Sequence, residues 1–296
     1  MANQAATGPR LGASTGCTYL FDVATEKSVE LLHAAGLREV EVYLQCDEEL
    51  DKQYLRDLAA TCADLGMTVV SLHPYVFGFE NLLFTSYRRQ RQWATRRFAQ
   101  YLGAAQVLGA AAYVSHGPPR HLVTQDSVLE PDYVRTTRHL LGLAAGHGVR
   151  YCLENVSYGL VRSPDDADRH LTEFGDALGL VVDFKSAWKS GFRPVDFLRS
   201  RLPSVSHVQV SYRAGERYGL GVGAGDVNDH DVADALRLCL TERPTLAQVL
   251  EIEAWSETEL TRTIHDTRAL LNRIAEGSAG PSGQRLTERS SASGGA

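Results

Sequence analysis

Eight short apolar or β-branched runs recur along the chain, separated by segments of helical period. The runs begin near Leu11 (LGAST), Glu39 (EVEVYL), Thr68 (TVVSLH), Ala111 (AAYVSH), Arg150 (RYCLEN), Gly179 (GLVVDF), Ser206 (SHVQVS) and Ala247 (AQVLEIE), 27 to 43 residues apart. That spacing is what a strand, a loop, a helix and a return loop require. Between the runs, VELLHAAG, YLRDLAATCADLG and RQWATRRFAQYLGAAQVLG carry apolar residues at i, i+3, i+4 and i+7. Several of these segments close on Gly36, Gly66, Gly109 or Gly148, the residue that most readily takes the left-handed conformation ending a helix. Eight such units in 296 residues predict an α/β chain folded as a single closed (β/α)8 barrel. The rival, a doubly wound open sheet, would place a Gly-rich phosphate turn after its first strand, where STGCTYLFD stands instead.

On this reading residues 1–10 are an N-terminal extension and 11–276 the barrel. Residues 277–296, GSAGPSGQRLTERSSASGGA, form a disordered tail too polar and small to bury a helix face. At 44% hydrophobic and 22% charged, the chain can bury a full core. Its net charge of −6 argues against a nucleic-acid partner. No apolar run reaches the length of a membrane span, and the first residues lack a secretory signal's charged head and apolar stretch. The five cysteines (Cys17, Cys46, Cys62, Cys152, Cys239) are odd in number and form no CxxC pair, which argues against a disulfide framework or structural zinc. The expectation is a reduced, cytoplasmic protein acting on a small molecule.

A barrel of this kind keeps its chemistry at the carboxyl ends of the strands. Strand three ends at His73, strand four at His116, strand five at Glu154 with Asn155 next, and strand six at Asp183 followed by Lys185. Strand seven runs through His207 and Gln209, and strand eight carries Glu251 and Glu253. Residues two apart on a strand share a face, so Asp183 with Lys185, His207 with Gln209 and Glu251 with Glu253 can point together. Carboxylates ending the apolar runs YCLE, LVVD and VLE would repel one another in one barrel mouth. A divalent cation relieves this, and oxygen donors suit Mg²⁺ or Mn²⁺, with Co²⁺ or Fe²⁺ also compatible. Independent structural ion pairs are the plainer alternative.

The succession SLHPY, VSHGP, LEN, VDFKSAWKSG, HVQVS and VLEIE resembles the xylose isomerase-like TIM barrel superfamily. That superfamily comprises sugar isomerases and epimerases, inosose and 3-dehydroshikimate dehydratases, and type IV apurinic endonucleases. The match spans roughly residues 11–275. The resemblance implies one divalent metal ion (Mn²⁺, Mg²⁺ or Co²⁺, with Fe²⁺ or Zn²⁺ as alternatives) held by Glu154, Asp183, Gln209 and Glu251, with Glu253 as the fallback for the last. His73 and His116 also occupy family positions, which bind extra metals in the endonucleases and often only line the pocket in the isomerases. Three departures set this chain apart. Ser186 stands where the family has a His after the strand-six Asp, although the later Gly is kept as Gly191. Gln209 replaces the second His of the strand-seven His-x-His, with Tyr212 where an acid follows. The His before the G-x-G turn is missing in YGLGVGAGDVN. A multi-zinc DNA-repair enzyme needs those histidines. A Gln at strand seven also occurs among 3-dehydroshikimate dehydratases, so the metal is retained in the expectation.

The implied chemistry is proton abstraction next to a carbonyl, with a metal stabilising the developing enediolate. Glu154 and Glu251 are the expected acid and base; the alternative is that one only holds the metal. Lys185, near where the family His would project, is expected to bind a substrate carboxylate or phosphate, or to act as an acid if its pKa is depressed. An ordinary loop lysine is the alternative. Lys189, Arg193, Arg213 and Arg217 add to the case for an anionic substrate. His73, His116, Asn155 and Arg213 are expected to contact substrate, and Tyr75, Phe77, Phe79, Tyr158 and Trp188 are candidate walls. Cys17 has no identified partner and receives no nucleophilic role. The basic stretch SYRRQRQWATRRF reads as the wet face of a helix whose Trp93, Phe98 and Leu102 pack inward.

The expectation is therefore an isomerase or epimerase of a small polyhydroxylated carbonyl compound (a sugar, sugar phosphate or cyclitol). A dehydratase using the same intermediate comes second, and a barrel that binds a metabolite without turnover is the third reading. Relatives often form homo-oligomers.

Overall fold

The computed structural model describes residues 8–74, 79–120, 130–221 and 229–278. Tyr75, Phe77, most of the G-x-G turn and the tail beyond Ser278 lie outside them. Each of the eight expected runs forms a strand: β1 (Leu11–Ser14), β2 (Glu39–Tyr43), β3 (Thr68–His73), β4 (Ala112–Ser115), β5 (Arg150–Glu154), β6 (Gly179–Asp183), β7 (Val205–Val210) and β10 (Ala247–Leu250). They close in the order β1-β10-β7-β6-β5-β4-β3-β2, every neighbouring pair parallel. This is a TIM barrel. A hairpin of β8 (Tyr212–Ala214) and β9 (Arg217–Leu220) follows β7. The sequence reading did not anticipate it.

The helices are α1 (Thr25–Ala34), α2 (Lys52–Asp64), α3 (Phe79–Leu83), α4 (Arg88–Leu108), α5 (Pro131–Gly146), α6 (Pro164–Phe174), α7 (Phe184–Lys189), α8 (Pro194–Leu198), α9 (Asp229–Glu242) and α10 (Glu257–Ser278). Local chemistry sets several of their ends. The Asp51 carboxylate accepts from the amides of Gln53 and Tyr54 at the start of α2, and Ser163 with Asp166 makes a capping box ahead of Pro164 in α6. Gly109, at φ 69°, ends α4. α10 runs two residues past the boundary expected at 276. No described helix is long and apolar enough to cross a membrane.

The main core lies between the strands and the helix layer. Small clusters, Ala112 with Val114, Cys152 and Val181, and Val70 with Ala247 and Val249, form separately from it. At Gly179 a Cβ would come within 2.3 Å of the Cys152 sulfur, so only glycine lets β5 and β6 approach there. In α4, Phe98 and Leu102 are fully buried as expected, but Trp93 is 47% exposed. Trp93 therefore lies on the wet side of its helix. Phe79, a candidate pocket wall, is buried in a stack with Tyr101, 5.2 Å between ring centroids.

Candidate active site

β5 and β6 end on buried carboxylates, Glu154 and Asp183. Asp183 is the register partner of Gln209 on β7, and Gln209 is that of Val249 on β10. Glu251, just past the end of β10, is fixed by its amide donating to the Val210 carbonyl at 2.9 Å. Parallel closure thus gathers four residues, far apart in sequence, at the carboxyl end of adjacent strands.

Two imidazoles hold Glu154. Its Oε2 lies 3.1 Å from His116 Nε2 and 3.4 Å from His73 Nε2. Burial pushes the Glu154 carboxyl up, but His116 and His73 outweigh it and hold it well below the usual carboxylate range. For His73, burial pulls the imidazole down, while Glu154, Glu41 and Glu251 push it up to about 10. The Tyr158 hydroxyl lies 2.6 Å from His116 Nδ1 and fixes the outer face of that ring. His73, His116 and Glu154 each offer a donor atom within 4.8 Å of the others, an arrangement that can itself hold a metal ion.

Asp183 is set from two sides. The Asn155 carboxamide grips its backbone, Oδ1 accepting from the Asp183 amide at 2.6 Å and Nδ2 donating to the Asp183 carbonyl at 2.9 Å. Asn155, expected to contact substrate, thus directs both ends of its side chain to the neighbouring strand. Asp183 Oδ1 accepts the Ser186 amide and caps α7. Burial pushes the Asp183 carboxyl up to about 6; Lys185 and the Ser186 bond oppose this, and Glu154 adds to it. Glu251 is likewise raised, by burial first and by Asp183, Glu154 and Glu41 besides, with Lys185 opposing.

Within this set, and like several buried oxygens elsewhere in the fold, Asp183 Oδ2, Gln209 Oε1 and Glu251 Oε2 are buried and have no hydrogen-bond partner among the described residues. Leaving such an atom unsatisfied costs about 1–3 kcal/mol, more when charged. These are the atoms that hard cations take, and they belong to three of the four residues expected to ligate. The donor set fits a divalent metal. Glu253, the fallback for Glu251, is 58% exposed in its side chain.

Beneath this set lies a group the sequence reading missed. Glu41, on β2, is fully buried. Its Oε2 accepts from Ser71 Oγ at 2.7 Å and lies 2.9 Å from His207 Nε2, and its Oε1 accepts from Gln209 Nε2 at 3.2 Å. Burial pushes the carboxyl up, but His207, His73 and Ser71 together bring it down to about 2.

A cavity of about 270 Å³ opens beside Glu251, lined by Ser14, Tyr19, Tyr43, Gln45, Lys185 and Glu253 among others. Lys185 Nζ stands 4.0 Å from Glu251 and 3.8 Å from Glu253. Burial pulls its ammonium down, but Glu251, Asp183, Glu253 and Glu154 prevail and hold it above the usual lysine value. Two of the arginines expected to meet an anion, Arg193 and Arg213, are engaged elsewhere. Arg193 pairs with Asp231 at 2.7 Å and with Asp234. Arg213 stacks 5.2 Å over Trp188 and lies 3.7 Å from Asp231, which also accepts from Trp188 Nε1 at 3.2 Å. Lys189 sits 5.7 Å over the Tyr218 ring. Below the cavity the Cys17 thiol donates to the Leu250 carbonyl and accepts the Ile252 amide, both at 3.3 Å. Burial pushes that thiol up to about 12, so it is no nucleophile at neutral pH.

An eight-stranded parallel barrel with carboxylates and imidazoles gathered at its carboxyl end defines a class of barrels that carry their polar site in that mouth. The model of the xylose isomerase-like TIM barrel family matches residues 29–238, and the chain belongs to that family. Solved structures agree in fold. A D-tagatose 3-epimerase-like protein is 16% identical, with TM-score 0.73 over 91% of this chain and 100% of its own. The probable 3-DHS dehydratase AsbF from Bacillus anthracis, involved in petrobactin synthesis, is 15% identical, with TM-score 0.69 over 87% and 98%. The IOLI protein with a binding zinc atom is 16% identical, with TM-score 0.68 over 92% and 100%. No curated protein matches the sequence.

Proposed function

We propose that this chain is a divalent-metal-dependent isomerase or epimerase of a small, uncharged polyhydroxylated carbonyl compound. The observation that carries the reading is that Asp183, Gln209 and Glu251, at the carboxyl ends of the strands that follow Glu154 around the barrel, each keep a buried oxygen with no partner among the described residues. These four residues would hold the ion, which when bound supplies Lewis acidity and a template for adjacent oxygens. Glu251 reaches the cavity wall, and Glu154 is steadied by His73 and His116. Together they hold and move the proton at the carbon next to the carbonyl. Lys185, between Glu251 and Glu253, aligns those carboxylates and offers N–H bonds to hydroxyls.

Among the described lining residues the cavity sets Lys185 against two carboxylates, Glu251 and Glu253, and Arg193 and Arg213 are turned to Asp231. Segments 75–78, 121–129 and 222–228 contain no Lys or Arg. This favours a neutral substrate over the anionic one expected from the loop charges. A dehydratase is the second reading, favoured by Gln209, and the likeness in fold to a probable 3-DHS dehydratase is compatible with it.

The test is a calorimetric Mn²⁺ titration of chelator-stripped protein with Glu154→Gln alongside, followed by turnover assays of the Mn²⁺-loaded protein. One tight site, lost in the variant, with turnover of keto sugars or inososes supports the reading. Elimination from a cyclic keto acid would favour the dehydratase. Absence of Mn²⁺ binding would overturn the metal-dependent reading in favour of a non-catalytic metabolite-binding barrel.

A further inference from the structure

We infer that Glu41 is a positioning residue that selects the orientation of the Gln209 side-chain amide and thereby presents its oxygen to the metal. The inference rests on the metal-dependent reading above. Only the oxygen of a carboxamide can ligate a cation, and a half-turn about the last side-chain bond exchanges that oxygen for an NH₂ group. A histidine at this position would meet no such ambiguity. Gln209 therefore needs a neighbour that tells its two ends apart.

Glu41 does so by geometry. Its Oε2 is occupied by Ser71 Oγ at 2.7 Å and His207 Nε2 at 2.9 Å, leaving Oε1 to face Gln209 Nε2 at 3.2 Å. A flipped amide would set its own oxygen against Oε1, two acceptors with no proton between them. Both side chains have zero exposure, so no solvent relieves that contact. In the observed orientation Gln209 Oε1 is left buried without a partner among the described residues. The floor of the site thus pays the desolvation of a carboxylate and gains a fixed ligand direction.

The experiment measures Mn²⁺ affinity by calorimetry on chelator-stripped parent, Glu41→Gln and the swap Glu41→Gln/Gln209→Glu, with circular dichroism as the check of folding. In Glu41→Gln the two amides can pair in either sense, and affinity is expected to fall about 10–100-fold, as for other residues supporting a ligand. The swap places a carboxylate at the ligand position, where both ends are oxygens and no orientation is needed, and is expected to restore the parent's affinity or exceed it. A structural role alone would not produce that rescue. Glu41→Gln binding Mn²⁺ as tightly as the parent, or a folded swap as weak as Glu41→Gln, would overturn the inference. If Glu41→Gln fails to fold, the swap decides on its own. A parent that binds no Mn²⁺ would instead overturn the metal reading and this inference with it.

Discussion

Asp183→Asn is expected to stabilise the metal-free protein while removing its response to Mn²⁺. Asp183 is fully buried, one of its oxygens has no partner, and Glu154 lies near enough to disfavour its charge. Its carboxyl is pushed from 3.8 to about 6 in the fold. Below the lower value both folded and unfolded chains are protonated and there is no penalty. Above the upper value the folded state carries the full cost of a strained carboxylate. At 1.36 kcal/mol per pH unit that cost reaches about 3 kcal/mol at neutral pH, and about 1–3 kcal/mol after local relaxation. The asparagine keeps the oxygen that accepts the Ser186 amide and loses only the charge. For a chain of this size the gain corresponds to a rise in Tm of about 2–10 °C. Mn²⁺ at a hundredfold excess over its Kd should stabilise the parent by about 2.7 kcal/mol and the variant far less. Thermal unfolding with chelator and with Mn²⁺, at pH 7 and pH 4, reads all four quantities. The advantage of the variant should shrink at pH 4. A lower Tm for Asp183→Asn in chelator at pH 7, or an equal gain from Mn²⁺ in both proteins, would refute the reasoning.

Three further outcomes are expected. Glu154→Gln and Glu251→Gln should each lower kcat by about 10²–10⁴-fold, the range for a positioned acid or base; turnover retained in either removes that residue from proton transfer. Glu41, held at about 2 against an ordinary 4.5, stabilises the fold fully above the ordinary value and loses that contribution as pH falls toward 2. An acid-unfolding curve should therefore be steep in this window for the parent and shallower for Glu41→Gln, and coincident curves would dismiss the account. Phe98→Ala should cost about 3–5 kcal/mol in denaturant unfolding, as a fully buried aromatic does, whereas Trp93→Ala, at a half-exposed position, should stay within about 0.5 kcal/mol.

The fold was legible because each barrel strand is an apolar run bounded by turn residues, and β5 and β6 end on a carboxylate that an apolar run does not otherwise explain. The expected metal set of Glu154, Asp183, Gln209 and Glu251 drew on those ends together with the family resemblance. Glu41 was not legible for a physical reason. EVEVY alternates as a half-wet strand does, which casts its glutamates as solvent-facing. In a closed barrel the second face of a strand is the interior, so Val40 and Val42 meet the helix layer while Glu41 enters the core. An uncompensated charge in a β2 run, opposite two polar residues on β7, was the available signal. The β8–β9 hairpin was hidden because YRAGERYGL has no apolar run. Trp93 misled because helical spacing gives a period and not the direction of the buried stripe.

The knot around Asp231 bears on how such a barrel can acquire new substrates. Trp188, Arg193 and Arg213 all converge on this one carboxylate of α9, so substitutions along the β6–β7 rim disturb several neighbours at once. Across the cavity, Tyr19 is 62% exposed and Gln45 half-buried, on the loops after β1 and β2. Directed evolution of substrate range should therefore find its tolerated changes at Tyr19 and Gln45. On the opposite rim a single substitution at Trp188, Arg193 or Arg213 breaks a contact to the shared Asp231 carboxylate, so fewer changes there should leave the fold intact.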